Sequence, residues 1–315
     1  MKTMRNMIIL NPVSGGGAGG RSHSLIERLL QSHNLDFDLV ATERPWHAAE
    51  LAEQAAMDGY DHVVAAGGDG TANEVLNGLM LAKQAGAGGS VAMGMLCIGR
   101  GNDFAFGVGV PPDLEAGCRV LAEGNRRMID VGWAVGGDFP EGRHFGNGVG
   151  IGFDAVVGFE ALKMKRLQGF VSYLAAALKT IMLYYRAPLV RIELDGEMIT
   201  QPSLMISIMN GRRMGGVFMM TPEAEIDDGK FDLCIAGQVG RLSMLALMAR
   251  FTRGTQATHT AIRTGRARRV VVTALEDALP AHADGETLCT DGQRLSLELQ
   301  ARQIEVVCQA EDDTR

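Results

Sequence analysis

The sequence of 315 residues lacks the marks of several protein classes. Its five cysteines are odd in number and scattered, and they do not have the paired spacing of a zinc site. This pattern is typical of reduced thiols in the cytoplasm, so we expect no zinc. No apolar run is long enough to span a membrane, and the run at residues 7–10 is too short for the core of a secretory signal.

Basic charge is also scarce. The formal net charge is −7 and the isoelectric point is about 5.5, which argues against nucleic acid as a partner because a phosphate backbone recruits basic surfaces. With 46% hydrophobic and 21% charged residues, the chain can bury a sizeable core. Its length favours two domains over one. We therefore expect a globular, cytoplasmic protein of two domains.

A glycine-rich turn between a strand and a helix is the most informative feature. Residues 63–66 form an apolar strand run, residues 67–71 read Gly-Gly-Asp-Gly-Thr, and a helical pattern begins at Asn73. Glycines let the backbone approach a phosphate, and a helix N-terminus attracts anions. Asp69 would repel a bare phosphate, but it fits a divalent cation held between the two. The turn predicts a Mg-nucleotide site, and the alternative is an ordinary turn in which Asp69 caps its helix.

Two other strands lead into similar loops. The strand at residues 7–10 precedes a glycine-rich run at 15–20 and a helix over 24–32, so the run is either a phosphate loop or a plain linker. The strand at residues 91–96 leads into a turn rich in glycine and polar residues, and ligands of open α/β sheets bind at such strand ends.

The pattern of elements changes along the chain. Up to Asp130, strands alternate with helices, which predicts an α/β domain with a parallel sheet over residues 1–130. In that part Thr42 precedes a helix and, on this evidence alone, is interpreted as its cap. Over residues 131–315, short apolar runs separated by turns predict an antiparallel, β-sandwich-like domain. Asp130 itself is interpreted as a turn carboxylate next to Arg126 and Arg127.

Three later segments have two interpretations each. The helical stretch over residues 163–185, basic at its start, either packs on the sandwich or lies against an anionic bilayer. The carboxylates clustered in residues 221–233 either bind a hard cation or form an ordinary turn. The sequence Asp-Gly-Glu at residues 284–286 is by itself a common hairpin turn.

Taken together, five motifs resemble the catalytic domain of the diacylglycerol kinase family, which includes bacterial lipid kinases and sphingosine and ceramide kinases. They follow the family's order: Asn-Pro-x-Ser-Gly at 11–15, Gly-Gly-Asp-Gly-Thr at 67–71, Gly-Arg-Gly-Asn-Asp-Phe-Ala at 99–105, Pro-x-Ala-x-x-Asp-Asp-Gly at 222–229 and Asp-Gly-Glu at 284–286. NAD kinases share the second motif. Arg100 departs from the family's threonine, and it could bind a phosphate oxygen or bridge to Asp103 or another carboxylate.

The resemblance implies a fold like that of NAD and diacylglycerol kinases, with the site in a cleft between the domains. It implies a lipid kinase that uses Mg-ATP to phosphorylate a lipid hydroxyl such as that of diacylglycerol. Glu286 would be the general base and Asp69 would organise Mg²⁺. The residues expected to bind nucleotide are Asn11, Thr42, Gly67, Gly68, Asp69, Gly70, Thr71, Asn73, Glu74, Gly99, Arg100, Asn102 and Asp103.

A structural Mg²⁺ is also implied by the resemblance, held at Asp228 together with Glu225 and Lys230. The expected partner is a lipid substrate at a membrane surface, with peripheral association during turnover, and a homodimer stays open. Two alternatives remain for the function: an NAD kinase-like enzyme, and a non-catalytic relative that binds nucleotide or lipid.

Overall fold

The computed structural model describes residues 4–87, 91–163, 170–183 and 186–310. The chain divides into two compact units. The first comprises Met1–Ile129 and Arg302–Arg315, and the second comprises Asp130–Ala301. The predicted second domain, 131–315, therefore differs from the second unit mainly at its C-terminal end.

The first unit is an α/β unit. Its parallel strands lie in the order β2-β1-β3-β4, as predicted from the alternation of strands and helices. The strands are β1 (Arg5–Leu10), β2 (Asp36–Ala41), β3 (His62–Gly67) and β4 (Ala92–Cys97), and the helices are α1 (Ser14–Ser32), α2 (His47–Met57), α3 (Asp69–Gln84), α4 (Asp103–Val108) and α5 (Leu114–Glu123).

The strands β3 and β4 are buried along their whole length, which explains why both are apolar runs without alternation. The helix predicted over 24–32 is longer than expected because α1 already begins at Ser14. Residues 15–17 have positive φ values of 60°, 69° and 86°, so the regular part of α1 begins only after these three glycines.

The second unit is antiparallel, as predicted. Two of its strands, β5 and β17, cross the boundary between the units along the chain. The strands are β5 (Arg126–Gly136), β6 (Phe139–Phe145), β7 (Gly148–Gly152), β8 (Leu189–Leu194), β9 (Glu197–Met209), β10 (Arg213–Met214), β11 (Phe218–Met219), β12 (Phe231–Gly237), β13 (Ile262–Ala267), β14 (Arg269–Ala274), β15 (Leu279–Ala283), β16 (Glu286–Gly292) and β17 (Arg294–Val307). The helices are α6 (Phe153–Lys163), α7 (Phe170–Leu183) and α8 (Arg241–Phe251), with a 3₁₀ turn at Gln256–Thr258.

The long strand β9 belongs to two groups of strands. Its first half pairs with β8, and its second half pairs with β7 and β12. Side chains from both groups meet in one apolar core that includes Phe145, Ile192, Ile206, Phe231 and Leu297. This arrangement is a β-sandwich-like core.

The last strand explains why the units divide as they do. Residues Arg294–Val307 form the single strand β17, in which Arg302 has a φ of 51°. The first part of β17 pairs with β14, whereas Glu305 and Val306 pair in parallel with β4. The end of the chain therefore belongs to the first unit.

The predicted helical insertion forms part of α6 and α7. In α7, Ala176, Thr180 and Ile181 are buried whereas Leu178 and Met182 are exposed, so one side of the helix packs on protein. Residues 164–169 and 184–185, which include most of the basic leading end, lie outside the described residues. Within the described ranges no helix is long and apolar enough to cross a membrane.

Candidate functional site

Three loops meet at one edge of the first unit. The strands β1, β3 and β4 are parallel neighbours, so the loops that leave their carboxyl ends lie side by side. These are the three loops in which the sequence predicts nucleotide contacts. This edge of the sheet is the usual ligand position in open α/β folds.

Asn11, directly after β1, joins the first loop to the second. Its Nδ2 donates a hydrogen bond to Thr71 Oγ1 at 2.9 Å, and its Oδ1 accepts one from the backbone N–H of Val13 at 3.1 Å. Thr71 is buried in the first turn of α3. The predicted residues Asn11 and Thr71 are thus in direct contact.

The second and third loops pack backbone against backbone. The N–H groups of Ile98 and Gly99 both donate to the carbonyl oxygen of Gly67, at 2.8 and 3.1 Å. A Cβ on Gly68 would lie 2.9 Å from Gly99 Cα, and a Cβ on Gly99 would lie 2.4 Å from Gly68 Cα. Glycine is therefore required at both positions for the loops to touch.

Asp69 is the first residue of α3, and it does not cap its own helix. The N-cap of α3 is Gly68, which has no side chain. Instead, Asp69 Oδ1 accepts a hydrogen bond from the backbone N–H of Phe104, in the first turn of α4, at 3.1 Å. The interpretation of Asp69 as a cap of α3 is therefore wrong, and the bond to Phe104 orients its carboxylate.

The third loop contains the departure from the family motif. Arg100 is exposed in this loop. Asp103 is buried at the start of α4. Asn102 has a φ of 51°, and its Nδ2 donates to the carbonyl oxygen of Gly99 at 3.2 Å. The contact of Arg100 with a phosphate oxygen and its bridge to a carboxylate both stay predictions.

Other predicted nucleotide contacts have structural partners. Glu74 Oε2 accepts a hydrogen bond from the N–H of Ala48 in the first turn of α2, at 3.2 Å. Asn73 is buried and accepts from Asn77 Nδ2. Thr42 follows β2 and is not the cap of α2, whose N-cap is Trp46. The capping interpretation of Thr42 is thus wrong, and nucleotide contacts by these residues stay predictions.

In the second unit, the Asp-Gly-Glu motif forms the tip of the β15–β16 hairpin. Asp284 and Gly285 both have positive φ, 49° and 85°, and Ala283 pairs with Glu286 across the turn. The buried Asp284 carboxylate accepts hydrogen bonds from the N–H groups of Gly146, Asn147 and Gly148, at 2.8, 2.9 and 3.0 Å. Asp284 therefore connects the hairpin to the loop before β7.

Glu286 itself is exposed at the first position of β16. It stands two residues after Asp284, on a turn whose backbone is tied down through that carboxylate. A solvent-accessible carboxylate on a rigid turn can accept a proton from a bound substrate. Within the second unit, the position of Glu286 is therefore compatible with the role of general base that the resemblance implies.

The acidic turn before β12 has partners other than a metal. Asp228 forms an ion pair with Arg266 of β13, and its Oδ1 accepts from the N–H of Lys230 at 3.0 Å. Glu225 and Lys230 are exposed. Asp130 is fully buried in β5, and its Oδ2 accepts from the N–H of Gly229 at 2.7 Å, so its interpretation as a turn carboxylate is wrong. Sequence reasoning missed both Arg266 and this role of Asp130.

The two implied metal positions differ in how well their residues fit a cation. At the first, the Asp69 carboxylate is oriented by the N–H of Phe104 and stands at the N-terminus of α3, an arrangement that suits a Mg-bound phosphate. At the second, a guanidinium already stands against Asp228, which does not fit a divalent cation. Among the described residues, no group of three or more His, Cys, Asp or Glu side chains could hold a metal by itself.

Comparison with known proteins adds sequence matches over both units. Residues 5–134 match the model of the diacylglycerol kinase catalytic domain, and residues 147–308 match that of the YegS C-terminal NAD kinase beta sandwich-like domain. A diacylglycerol kinase of Staphylococcus saprophyticus is 28% identical over 90% of this chain and 88% of its own length. One of Staphylococcus aureus is 29% identical over 90% and 86%.

Solved structures resemble the whole chain. A diacylglycerol kinase from Bacillus anthracis aligns with a TM-score of 0.73, covers 98% of both chains and is 21% identical. Yeast NADH kinase aligns with a TM-score of 0.50 at 9% identity, covering 100% of this chain and 86% of its own. At these identities the likenesses show the fold alone. The two sequence matches together cover most of the chain, and the second alone covers more than half of it. The protein therefore belongs to the diacylglycerol kinase family with a YegS-type C-terminal domain.

Proposed function

We propose that this protein is an ATP-dependent lipid kinase that phosphorylates a lipid hydroxyl such as that of diacylglycerol. The observation that carries the proposal is the meeting of three loops around Asp69, at the carboxyl ends of β1, β3 and β4. Membership of the family supports kinase chemistry, and the curated relatives bear the name diacylglycerol kinase.

The loops of the first unit offer groups that can bind the phosphates of a nucleoside triphosphate. Gly68 and Gly99 let the second and third loops pack together directly, and the N-terminus of α3 attracts phosphate. In this proposal Asp69 binds the Mg²⁺ of Mg-ATP, while Asn11 and Thr71 hold the first loop against the second. Mg²⁺ would neutralise phosphate charge as it builds up during transfer.

Glu286 is proposed as the general base. The acceptor hydroxyl oxygen attacks the γ-phosphorus, the bond from that phosphorus to the β–γ bridging oxygen breaks, and ADP leaves with the bond's electron pair. The hydroxyl proton passes to the Glu286 carboxylate. Asp284 would act as a positioning residue, because it holds the turn from which Glu286 projects.

The surface of the second unit supports a lipid acceptor. Leu178 and Met182 of α7 and Leu242 of α8 are exposed, by 47%, 65% and 84%. Arg241 of α8 reaches the carbonyl oxygen of Ile181 in α7 through its Nε, at 3.4 Å. Exposed apolar side chains beside basic ones favour contact with an anionic membrane surface. We therefore propose that the enzyme takes its substrate from a membrane as a peripheral protein.

An acceptor panel tests the proposal. The whole chain is incubated with Mg²⁺ and ATP labelled at the γ-phosphate, together with anionic vesicles that contain diacylglycerol, ceramide or neither, or with NAD. We expect label in the lipid fraction only when diacylglycerol is present. Label on NAD would favour the NAD kinase-like alternative, and no label on any acceptor would favour a non-catalytic relative.

The Glu286→Gln variant tests the proposed base, because the amide has nearly the same shape but cannot take the proton. We expect kcat to fall by about 10²- to 10⁴-fold with ATP affinity and melting temperature preserved. Glu276→Gln is the matched control, since it changes an exposed carboxylate of the same unit. Turnover like that of Glu276→Gln would remove Glu286 from the mechanism.

A further inference from the structure

The turn before β12 has an excess of negative charge. Residues 221–232 contain five acidic residues and one lysine. Carboxylates crowded in a partly buried turn repel one another unless a cation lies among them. In the described part of the second unit, a basic side chain of the neighbouring strand β13 can provide that cation.

Arg266 lies between two of these carboxylates. It stands on β13 directly opposite Asp232 of β12 in the antiparallel pair. Its Nη2 pairs with Asp228 Oδ2, and its Nε lies 3.4 Å from Asp232 Oδ2. The side chains of Asp228 and Asp232 are only 18% and 15% exposed. The guanidinium thus pairs with the turn carboxylate of Asp228 and lies at ion-pair distance from the strand carboxylate of Asp232, whose buried Oδ2 accepts no hydrogen bond from the described residues.

Two further groups of the turn are bonded within the protein. Asp228 Oδ1 accepts from the N–H of Lys230, and the N–H of Gly229 donates to Asp130. A divalent cation bound at Asp228 would have to lie close to the permanent charge of Arg266. Like charges at such a distance repel strongly in a partly buried site.

We propose that Arg266 is the resident cation of this turn and performs the structural role that the family resemblance gives to Mg²⁺. The turn then folds without a metal ion, and Asp228 stabilises it through the guanidinium. Removing the guanidinium leaves two carboxylates with room for a metal. This inference does not depend on the proposed kinase activity.

Thermal unfolding of the whole chain without nucleotide provides the test. Wild type and Arg266→Gln are compared in EDTA and in millimolar MgCl₂ at matched ionic strength. We expect Arg266→Gln in EDTA to melt about 2–4 °C below wild type, and MgCl₂ to restore part of that loss by mass action. The double variant Asp228→Asn with Arg266→Gln should lose this recovery.

Arg263→Gln is the matched control. Arg263 is exposed on the same strand, three residues from Arg266 and therefore on the opposite face. We expect it to melt like wild type with and without MgCl₂. Equal melting of Arg263→Gln and Arg266→Gln in EDTA would overturn the inference.

A comparison of wild type with Asp228→Asn is a second, independent test, which does not require Arg266→Gln to fold. The change in melting temperature that MgCl₂ causes should be the same for wild type and Asp228→Asn, because Asp228 in wild type is already paired with Arg266. A larger, saturable rise in the melting temperature of wild type than of Asp228→Asn would show a metal bound at Asp228. That result would also contradict the inference.

Discussion

The two units hold their functional loops in opposite ways. In the first, the loops at Gly68 and Gly99 touch because side chains are missing, and backbone groups bond to backbone groups. In the second, loops are held by carboxylates that accept from backbone N–H groups. Asp284 binds the loop at residues 146–148, and Asp130 binds Gly229.

This difference determines what each unit can tolerate. A contact made by missing side chains fails when any atom is added, whereas a contact made by a carboxylate fails when its charge is removed. The first mode brings two loops together at the N-terminus of α3, where phosphate is proposed to bind. The second leaves a rigid frame from which another side chain, such as Glu286, can project. Two variants, each with a matched control, separate the two modes.

Asp284→Asn should have the largest effect. Its buried carboxylate accepts three backbone hydrogen bonds, and an amide would turn one oxygen into a donor facing a donor. We expect unfolding in denaturant to show a loss of about 3 kcal/mol, because hydrogen bonds to a charged group are strong and buried donors are costly to leave unpaired. Lipid kinase activity should fall as well, because Glu286 lies on the same turn.

Asp138→Asn is the control for that variant. Asp138 is exposed in the same unit, so the same loss of charge should cost little there. If Asp284→Asn were as stable as Asp138→Asn, the carboxylate would not be what holds the loop at residues 146–148.

The sequence predicted the first mode better than the second. Glycines next to apolar strand runs are a local signal, and the loops at residues 67–71 and 99–103 lie where that signal indicated. Asp284 is separated by 138 residues from Gly146, which donates to it, and Asp130 by 99 residues from Gly229. No local pattern encodes such a pairing, so Asp130 was misinterpreted.

Gly99→Ala should have an intermediate effect. Its Cβ would lie 2.4 Å from Gly68 Cα, and a backbone atom cannot rotate away. The second and third loops must therefore separate, at a cost of about 1–3 kcal/mol in the free energy of unfolding. We also expect weaker ATP binding by calorimetry, since the separation moves the backbone proposed to approach phosphate.

Gly240→Ala provides the matched comparison, because a Cβ at Gly240 finds no heavy atom within 4 Å. Its φ of −72° is also ordinary for alanine. Equal stability and ATP affinity of the two variants would mean that the loops tolerate separation. The contact would then not require glycine.

Ion pairs between neighbouring strands also could not be predicted from the sequence. Arg266 is one of several arginines between residues 263 and 269, and only the register of β12 with β13 places it opposite Asp232. Register depends on which faces are buried over whole strands. The strand β13 itself was not predicted, because its residues Ile262–Ala267 are mostly polar or small.

The smallest expected effect concerns a buried histidine in each unit. Burial, with the nearby Arg126 charge, lowers the pKa of His62 to about 4, and burial lowers the pKa of His144 to about 4. Arg126 Nη2 lies 2.9 Å from His62 Nε2 and can only donate, so His62 Nδ1 carries the proton and donates to Asn6 Oδ1 at 2.8 Å. A proton on Nε2 would point at the N–H of Arg126, so two hydrogen-bond donors would face each other.

The sign of the pH dependence follows. The unfolded chain binds a proton at a histidine pKa near 6.5 and the folded chain near 4, so stability is full above 6.5 and is lost as pH falls toward 4. Between pH 7.5 and 6, His62 should lower wild-type stability by about 1 kcal/mol. His62→Gln, which keeps one donor and one acceptor, should lack this loss, so its stability gap to wild type should narrow on acidification. The stability gap of His144→Gln to wild type should narrow in the same way, because burial also lowers the pKa of His144. A gap that stays constant in urea titrations at pH 7.5, 6.5 and 6 would show that His62 takes up protons equally in both states.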